Sequence, residues 1–285
     1  MSEEALRVYA NSTSVITGGA SGIGRALGEE IARRGGHVVL ADLQIELAEE
    51  VAQEIRSKGG RAEAYELDVT DFSAVDNLLR KTVNKTGRLD FMFNNAGISI
   101  YGDASLHRIE DWNRIIDVNL FGVVNGVQVA YQIMLRQSFG HIVNTASLAG
   151  LVVGSGSPSY ITTKHAVVGL SKALRAEAKL SGVRVSVLCP SFVRTPILEA
   201  GKYGKILMNI SPEKPRELLE KFKIQPMNAN KYAVKALSAI AKNKAIIIIP
   251  FWWKIIWWID RLSPSMGIFL AEKSNQSMNK VLNAE

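Results

Sequence analysis

The chain has 285 residues, of which 47% are hydrophobic and 21% are charged. This length allows one sizeable core, and this composition excludes an intrinsically disordered protein. Cys189 is the single cysteine, so an intramolecular disulfide is excluded and a reducing compartment fits.

The basic residues are distributed unevenly. Residues 1–200 carry 20 basic and 21 acidic side chains, whereas residues 201–285 carry 14 basic and 6 acidic side chains. Such a basic segment can attract an anionic membrane or nucleic acid, or it can serve solubility alone. Because no nucleic-acid-binding motif accompanies it, we expect no nucleic-acid partner. The scattered histidines predict no metal site, and residues 1–11 lack the apolar core of a signal peptide, which predicts a cytoplasmic location.

Apolar, β-branched runs alternate with segments of helical periodicity along the chain. The predicted strands are Ser14–Thr17, His37–Ala41, Ala62–Leu67, Leu89–Asn94, His141–Ala146, Val183–Leu188 and Ala245–Ile249. The predicted helices are Ile23–Arg34, Leu43–Lys58, Phe72–Thr86, Ile109–Arg136, Ser159–Leu180 and Ala229–Lys242. This alternation predicts an α/β protein, a doubly wound Rossmann fold with a seven-stranded parallel sheet and helices on both faces. We expect one domain over residues 1–285, with its core at residues 12–250.

The first predicted strand leads into a glycine-rich turn, Thr17-Gly18-Gly19-Ala20-Ser21-Gly22-Ile23-Gly24. Glycines at such a turn let the backbone approach a pyrophosphate closely. The helix that follows offers unpaired N–H groups and the positive end of its dipole to the phosphates. Because the turn follows a strand and opens a helix, the sequence predicts a dinucleotide-binding site.

Asp42 ends the second predicted strand. An acid at this position can accept hydrogen bonds from the adenosine ribose hydroxyls and repel a 2′-phosphate. The next residue, Leu43, is not basic, so the sequence favours NAD over NADP. Alternatively, Asp42 is the N-cap of the helix predicted at Leu43–Lys58, and the two roles are compatible.

Tyr160 and Lys164 are four residues apart on a predicted helix and therefore share one face. An ammonium beside a phenol lowers the pKa of the phenol, which makes Tyr160 usable as a general acid or base. Ser147 ends a strand at the edge where ligands bind in parallel sheets, and its hydroxyl can hold a substrate oxygen. By spacing alone, however, the Tyr160 and Lys164 pair is more typical of a solvated helix face.

Further motifs accompany these residues in a fixed order. They are Asp68-Val69, Asn94-Asn95-Ala96-Gly97, Asn119, and Pro190 with Thr195, besides the glycine-rich turn, Ser147 and Tyr160-x-x-x-Lys164. With this set, residues 12–250 strongly resemble the short-chain dehydrogenase/reductase family in its one-domain form. The resemblance implies an NAD(P)-dependent oxidoreductase that interconverts an alcohol and a ketone or aldehyde by hydride transfer.

The resemblance implies a catalytic role for four residues. Tyr160 would exchange the proton with the substrate oxygen, Lys164 would lower the pKa of Tyr160 and bind the nicotinamide ribose, and Ser147 would orient the substrate oxygen. Asn119 would hold a water that links Lys164 to solvent; alternatively, it satisfies a buried carbonyl group. The alternative function is a catalytically silent NAD-binding regulatory or scaffold protein of the same fold, which the four intact residues disfavour.

The family also implies cofactor contacts along the whole crevice. Asp68 and Val69 would contact the adenine, and Val193 and Thr195 would meet the nicotinamide. The implied cofactor-binding residues are Thr17, Gly18, Ser21, Gly22, Ile23, Gly24, Asp42, Asp68, Val69, Asn95, Ala96, Gly97, Tyr160, Lys164, Pro190, Val193 and Thr195. Asp68 can instead be a capping or turn residue, and Asn94–Gly97 a plain turn. Ser191 stands where the family often has glycine, so the backbone path near Thr195 can differ.

Residues 191–228 follow a late predicted strand and are irregular. We therefore expect this segment to cover the crevice above the substrate. Its apolar side chains favour a largely apolar alcohol or carbonyl substrate; they are Ile197, Leu198, Tyr203, Ile206, Leu207 and Met208. Members of the family usually associate through the helices predicted at Ile109–Arg136 and Ser159–Leu180. The resemblance therefore implies a homodimer or a homotetramer.

Residues 251–285 form an apolar and basic C-terminal extension. Its first part, Phe251–Leu262, holds four of the five tryptophans and predicts a helix that is apolar almost all round. This stretch is too short to span a membrane. Tryptophan and lysine at an apolar surface suit contact with a membrane surface. The alternatives are a subunit contact and a lid over the substrate cleft.

Overall fold

A computed structural model describes residues 8–154, 156–198, 203–208 and 225–282. The strands are β1 (Thr13–Thr17), β2 (His37–Asp42), β3 (Arg61–Glu66), β4 (Phe91–Asn94), β5 (Ser99–Tyr101), β6 (Gly140–Thr145), β7 (Val183–Pro190), β8 (Val193–Arg194), β9 (Gly204–Ile206), β10 (Met227–Asn228) and β11 (Ile246–Ile249). Seven of them form one parallel sheet in the order β11-β7-β6-β4-β1-β2-β3. The others pair as β5 with β9 and β8 with β10. The predicted seven-stranded parallel sheet is confirmed.

Helices cover both faces of this sheet. They are α1 (Gly22–Arg33), α2 (Ile45–Ser57), α3 (Phe72–Thr86), α4 (Ile109–Ile116), α5 (Gly122–Gln137), α6 (Pro158–Glu177), α7 (Ala229–Ala241), α8 (Trp253–Leu262) and α9 (Pro264–Leu282). Side chains of α1, α2 and α7 form one apolar cluster, and side chains of α3, α5 and α6 form a second. Val15 and Ile16 of β1 enter opposite clusters, as the alternation of side chains along a strand requires. The doubly wound arrangement is confirmed.

The strand order reverses at β1. From there β2 and β3 extend the sheet to one side, while β4, β6, β7 and β11 extend it to the other. Ligands in open parallel sheets bind at the carboxyl ends of the strands beside such a reversal. The sheet therefore directs the glycine-rich turn after β1 and the Asn95–Gly97 motif after β4 to one crevice.

Several predicted boundaries differ from the structure. The helix predicted at Ile109–Arg136 is divided by a π-helical turn at Asp117–Phe121, which contains Asn119. The helix predicted from Leu43 begins at Ile45. The segment predicted to be irregular at residues 191–228 contains β8, β9 and β10, and its residues 199–202 and 209–224 lie outside the described residues. A helix at Pro264–Leu282 was not predicted.

The helical stretch Ile109–Gln137 is long and apolar enough, by length and composition alone, to cross a membrane. Half of its most apolar part is buried inside the protein, however. Its buried residues include Ile115, Val127 and Ile133, of which Val127 and Ile133 belong to the core cluster on the sheet. The stretch is therefore typical of a core helix.

The C-terminal extension forms two helices, α8 and α9, that pack on each other. Trp253 and Trp257 of α8 pack against the apolar cluster of α3, α5 and α6. Ile255 and Leu262 of α8, with the preceding Phe251, are 64%, 80% and 78% exposed. The predicted apolar helix is present, with one apolar side partly buried and the opposite side facing solvent.

Candidate active site

A cavity of about 690 Å³ lies at the carboxyl edge of the sheet, where the loops after β1, β4, β6 and β7 meet. This volume lies within the range of small-molecule sites. Most of the predicted site residues line it: Gly18, Ser21, Gly22, Ile23, Asp42, Asp68, Val69, Asn95, Ala96, Gly97, Ser147, Tyr160, Lys164, Pro190, Val193 and Thr195. The structure thus brings together residues that are up to 177 positions apart in the sequence, from Gly18 to Thr195.

Thr17 and Gly24 lie behind the cavity wall and shape it. The Oγ1 atom of Thr17 accepts hydrogen bonds from the backbone N–H groups of Asn95, at 2.9 Å, and Ala96, at 3.0 Å. This joins the loops after β1 and β4. A Cβ atom at Gly24 would overlap the carbonyl oxygen of Gly18 and lie 2.7 Å from Nδ2 of Asn95. Both residues therefore shape the cavity through the loops that they position.

Asn119 is also behind the wall, and it is fully buried. Its Oδ1 atom accepts a hydrogen bond from the N–H of Ile98 at 2.8 Å, and its Nδ2 atom donates to the carbonyl of Ile98 at 2.9 Å. The alternative in which Asn119 satisfies a buried carbonyl group is therefore present in the structure. A Cβ atom at Gly97 would lie 3.2 Å from this Oδ1 atom and 3.4 Å from Nζ of Lys164, so Asn119, Gly97 and Lys164 are neighbours.

The glycine-rich turn forms a cradle at one end of the cavity. Gly18 and Gly22 have φ angles of 65° and 53°, a left-handed conformation that strains any other residue. A Cβ atom at Gly18 would lie 2.9 Å from Cα of Ala96. Helix α1 begins at Gly22, and the side chain of its N-cap Ser21 makes no capping hydrogen bond. This arrangement of backbone and N–H donors fits a pyrophosphate.

Asp42 lies beside the turn with both carboxylate oxygens engaged. Oδ2 accepts a hydrogen bond from the N–H of Ala20 at 3.1 Å, and Oδ1 accepts one from the N–H of Gln44 at 3.1 Å. The N-cap of α2 is Gln44, so the alternative in which Asp42 is that N-cap is wrong. The helix starts two residues later than predicted, and Asp42 instead fixes the glycine-rich turn.

Asp68 is exposed at the cavity mouth after β3. Its Oδ1 atom accepts hydrogen bonds from the backbone N–H of Thr70, at 2.9 Å, and from the Thr70 hydroxyl, at 2.7 Å. The N-cap of α3 is Asp71. Asp68 is therefore a turn residue, one of the alternatives that its sequence context left open. The neighbouring Val69 is buried against Gly122, where a Cβ atom would lie 2.6 Å from the valine Cγ2.

Ser147, Tyr160 and Lys164 meet at the other end of the cavity. Ser147 follows β6, and its hydroxyl accepts a hydrogen bond from the N–H of Ala149 at 3.2 Å. Tyr160 and Lys164 are one turn apart on α6. Lys164 is 3% exposed, and its Nζ atom donates to the carbonyl oxygen of Thr145 at 3.0 Å. The same Nζ atom lies 5.5 Å from the centroid of the Tyr160 ring.

Burial dominates the electrostatics of this end. It lowers the pKa of Lys164 to about 8, because a buried ammonium loses its hydration. Burial and the nearby Tyr101 phenol raise the pKa of Tyr160, and a hydrogen bond from Ser147 only partly opposes them. The expected lowering of the Tyr160 pKa by Lys164 is therefore absent from this state, in which the loss of solvation is the largest influence on the phenol.

Several residues that line the cavity were missed at the level of sequence. They are Gln44, Tyr101, Phe192 and Ser274. Leu43 and Trp253 also line the cavity, and the sequence pointed to both. Leu43 follows Asp42, and Trp253 closely follows the last strand on the side of the sheet where ligands bind. Of the three alternatives for Phe251–Leu262, the lid is therefore the one with a direct contact to the cavity.

The described residues 203–208 of the predicted lid are held at the cavity opening by contacts with the rest of the protein. Strand β9 pairs with β5, and the Tyr203 hydroxyl accepts a hydrogen bond from Nε2 of Gln44 at 2.8 Å. Nζ of Lys205 forms an ion pair with Asp111 at 2.9 Å. Tyr203 thereby lies over the end of the cavity that contains Asp42.

The comparisons with known proteins agree with this geometry. The family model for short chain dehydrogenases matches residues 12–203. Oxidoreductase UcpA of Escherichia coli K12 is 36% identical to this chain, and the aligned region covers 75% of this chain and 80% of the length of UcpA. The 2,5-dichloro-2,5-cyclohexadiene-1,4-diol dehydrogenase LinX of Sphingobium indicum is 38% identical over 66% of this chain and 75% of its own.

Solved structures extend the likeness beyond the matched segment. A short chain dehydrogenase/reductase from Burkholderia phymatum, solved in complex with NAD, has a TM-score of 0.81 and 30% identity. The superposition covers 90% of this chain and 95% of that one. The family model spans the glycine-rich turn, Ser147, Tyr160 and Lys164. The chain belongs to the short-chain dehydrogenase/reductase family.

Proposed function

We propose that this chain interconverts an apolar secondary alcohol and its ketone, or a primary alcohol and its aldehyde, with NAD as the cofactor. One observation carries the proposal. Ser147, Tyr160 and Lys164 face the same cavity as the glycine-rich turn and the N-terminus of α1. A dinucleotide held by the turn would therefore present its reactive end beside a proton-transferring phenol.

The choice of NAD over NADP rests on Asp42. Its carboxylate lines the cavity beside Leu43 and Gln44, neither of which can neutralise a 2′-phosphate. Two hydrogen bonds from backbone N–H groups hold the carboxylate in place, and each oxygen keeps a further lone pair for a ribose hydroxyl. The similar structure from Burkholderia phymatum was solved with NAD, which supports a nicotinamide dinucleotide as the cofactor.

The proposed chemistry divides between the cofactor and the side chains. When bound, the dinucleotide supplies the hydride acceptor for oxidation or the hydride donor for reduction. Ser147 orients the substrate oxygen, and Tyr160 gives it a proton in reduction or takes its proton in oxidation. Because burial raises the pKa of Tyr160, the phenol is protonated at neutral pH in the cofactor-free protein and holds the proton that reduction requires. Lys164 uses one of its three N–H donors on Thr145 and keeps two for the ribose hydroxyls.

The substrate is proposed to be largely apolar. Around Tyr160 the cavity is lined by Leu148, Val152, Val153, Ile197 and Leu198, besides the aromatic residues named above. The name of the LinX relative describes a dehydrogenase of a chlorinated cyclic diol, a compact and mostly apolar ring. A cyclic alcohol or ketone is therefore a sensible first probe.

The proposals on assembly and location rest on the family resemblance and on the exposed side of α8. We propose a cytoplasmic homodimer or homotetramer that associates through α4, α5 and α6, as the family resemblance implies. We also propose that α8 touches a membrane surface, because Phe251, Ile255 and Leu262 expose a continuous apolar stripe. Their spacing along the helix puts them on one face, opposite Trp253 and Trp257.

The Tyr160→Phe variant tests the proposed chemistry. We expect kcat for NADH-dependent reduction of cyclohexanone to fall about 10²–10⁴-fold, the usual contribution of a general acid. The dissociation constant for NADH should not change, because the ring is retained. The matched control is Tyr101→Phe, which removes another phenol from the same cavity and should cost much less.

The same assay separates the enzyme from the silent binding protein of the same fold. A wild-type chain that binds NADH but reduces no ketone or aldehyde in a broad panel would favour the silent protein. Full activity in Tyr160→Phe would also contradict the proposal.

A further inference from the structure

The C-terminal hairpin of α8 and α9 supplies part of the cavity wall through Trp253 and Ser274. Both residues lie beyond residue 203, where the family model ends. This part of the wall is therefore an addition to the portion of the chain that carries the catalytic and dinucleotide-binding motifs.

The sheet fixes the end of the cavity to which Trp253 belongs. Strand β11 lies beside β7, with Ile249 opposite Pro190, so the chain leaves β11 next to the loop that starts at Ser191. The rings of Phe192 and Trp253 lie 6.4 Å apart, centroid to centroid. Asp42, at the end of β2, lies on the other side of the strand reversal. Trp253 therefore faces the substrate end rather than the adenosine end.

Trp253 is held firmly in this position. Its ring stacks on Trp252 with centroids 4.3 Å apart and an interplanar angle of 26°. It also packs against the apolar cluster of α3, α5 and α6, besides its contact with Phe192. A wall that is already packed offers its surface to a ligand without the cost of ordering a flexible side chain.

We infer that Trp253 determines substrate size by forming the far apolar wall of the substrate end. The inference rests on the proposed function. A small alcohol held at Ser147 and Tyr160 leaves this wall in contact with water, whereas a larger apolar body covers the indole and displaces that water. The selected substrates are thus alcohols and ketones with an apolar ring or chain large enough to reach Trp253.

A substrate series measures this selection. We expect Trp253→Ala to lower kcat/KM for 4-tert-butylcyclohexanol by about 10–100-fold, the range for lost apolar contacts in a specificity pocket. For 2-propanol the change should be about threefold or less. Trp253→Phe should restore most of the loss. The matched control is Trp258→Ala, on the exposed side of the same helix, which should alter neither value. An equal loss for both alcohols, or no loss, would overturn the inference.

A second measurement does not depend on turnover. The single cysteine, Cys189, is fully buried, so Trp253→Cys introduces the one accessible thiol. We expect NADH with 4-tert-butylcyclohexanol to slow its alkylation by N-ethylmaleimide much more than NADH with 2-propanol does. In Trp258→Cys neither mixture should slow the alkylation.

The two measurements separate this inference from the proposed function. Protection of the thiol at position 253 without any turnover by the wild type would support the wall and contradict the proposed chemistry. Turnover by the wild type without selective protection of this thiol would support the proposed chemistry and contradict the inference about Trp253.

Discussion

Asp42 has a structural role, seen in its contacts, and the selective role that we propose for it. Its carboxylate accepts hydrogen bonds from Ala20 in the glycine-rich turn and from Gln44 at the start of α2. The same group lines the cavity where an adenosine ribose would lie. Its negative charge is therefore kept in place by the two segments that would flank the nucleotide.

From this position we predict the coenzyme preference. Asp42→Ala should lower the preference for NAD over NADP, measured as the ratio of dissociation constants, by at least about tenfold, or about 1.4 kcal/mol. Removal of the carboxylate deletes an acceptor for the ribose and a charge that repels phosphate. Glu66→Ala is the control, since Glu66 is an exposed acid at the end of the neighbouring strand β3. An equal shift in both variants would mean that net charge alone sets the preference.

Lys164 makes the stability of the cofactor-free protein depend on pH. Its pKa is lowered to about 8 in the folded state, against about 10.4 for an unfolded lysine. Between these values the unfolded chain binds more protons, so this lysine makes the free energy of unfolding rise with pH. Below pH 8 its burial opposes folding.

We therefore predict a pH-dependent difference between the wild type and Lys164→Met. We compare the free energies of unfolding of the two proteins at each pH. From pH 7 to pH 11 the value for the wild type should rise by about 3 kcal/mol relative to the value for the variant. Urea unfolding at several pH values measures it. Lys172→Met removes an exposed lysine from the same helix and should show no such trend. A constant difference for Lys164→Met would refute the assignment.

At the scale of elements, the junction of β1 and α1 depends on the closeness of its backbone segments. A Cβ atom at Gly24 would overlap the carbonyl oxygen of Gly18, a backbone atom that cannot move aside without opening the turn. Gly169 of α6 is the opposite case, because a Cβ atom there has no neighbour within 4 Å.

These two glycines give a paired prediction. Gly24→Ala should destabilise the chain by about 2–4 kcal/mol and weaken NADH binding. Gly169→Ala should stabilise it by about 0.5–1 kcal/mol, since alanine is the better helix former. Urea unfolding and NADH titration of both variants provide the test. A mild effect of Gly24→Ala on both quantities would contradict the tight junction.

The elements also show what the sequence could predict. The seven sheet strands and the turn after β1 were predictable because several of these strands are continuous apolar runs, as buried parallel strands are, and the turn needs glycines. The π-helical turn around Asn119 was not, because the periodicity of α4 and α5 continues across it. The raised pKa of Tyr160 was also missed, since the sequence shows the neighbouring Lys164 but not the extent of burial.

At the scale of the whole molecule, the exposed side of α8 groups several large apolar side chains within the described part of the chain. The basic character expected of residues 251–285 is slight, because they hold four basic and three acidic residues, and most of the basic excess lies in residues 201–250. Attraction to lipid would therefore come mainly from apolar burial, and charge would contribute little.

Sedimentation with liposomes tests this membrane contact. We predict that the wild type partitions to both phosphatidylcholine and phosphatidylglycerol vesicles, and that Phe251→Glu with Ile255→Glu abolishes partitioning. The catalytic rate with soluble alcohols should persist, because Trp253 and Trp257 are retained. Leu180→Glu, which charges an isolated apolar residue that is 96% exposed, is the control. Equal partitioning of all three proteins would exclude this contact.

The order of the strands separates two tasks along the chain. The parts that would grip the nucleotide first come from β1, β2 and β4, whereas the wall with Trp253 comes after β11, at the outer edge of the sheet. During synthesis, the segments proposed to bind the nucleotide therefore emerge long before the segment proposed to select the substrate. For the same reason, exchanging tails between relatives would transplant substrate preference while leaving the inherited redox machinery intact.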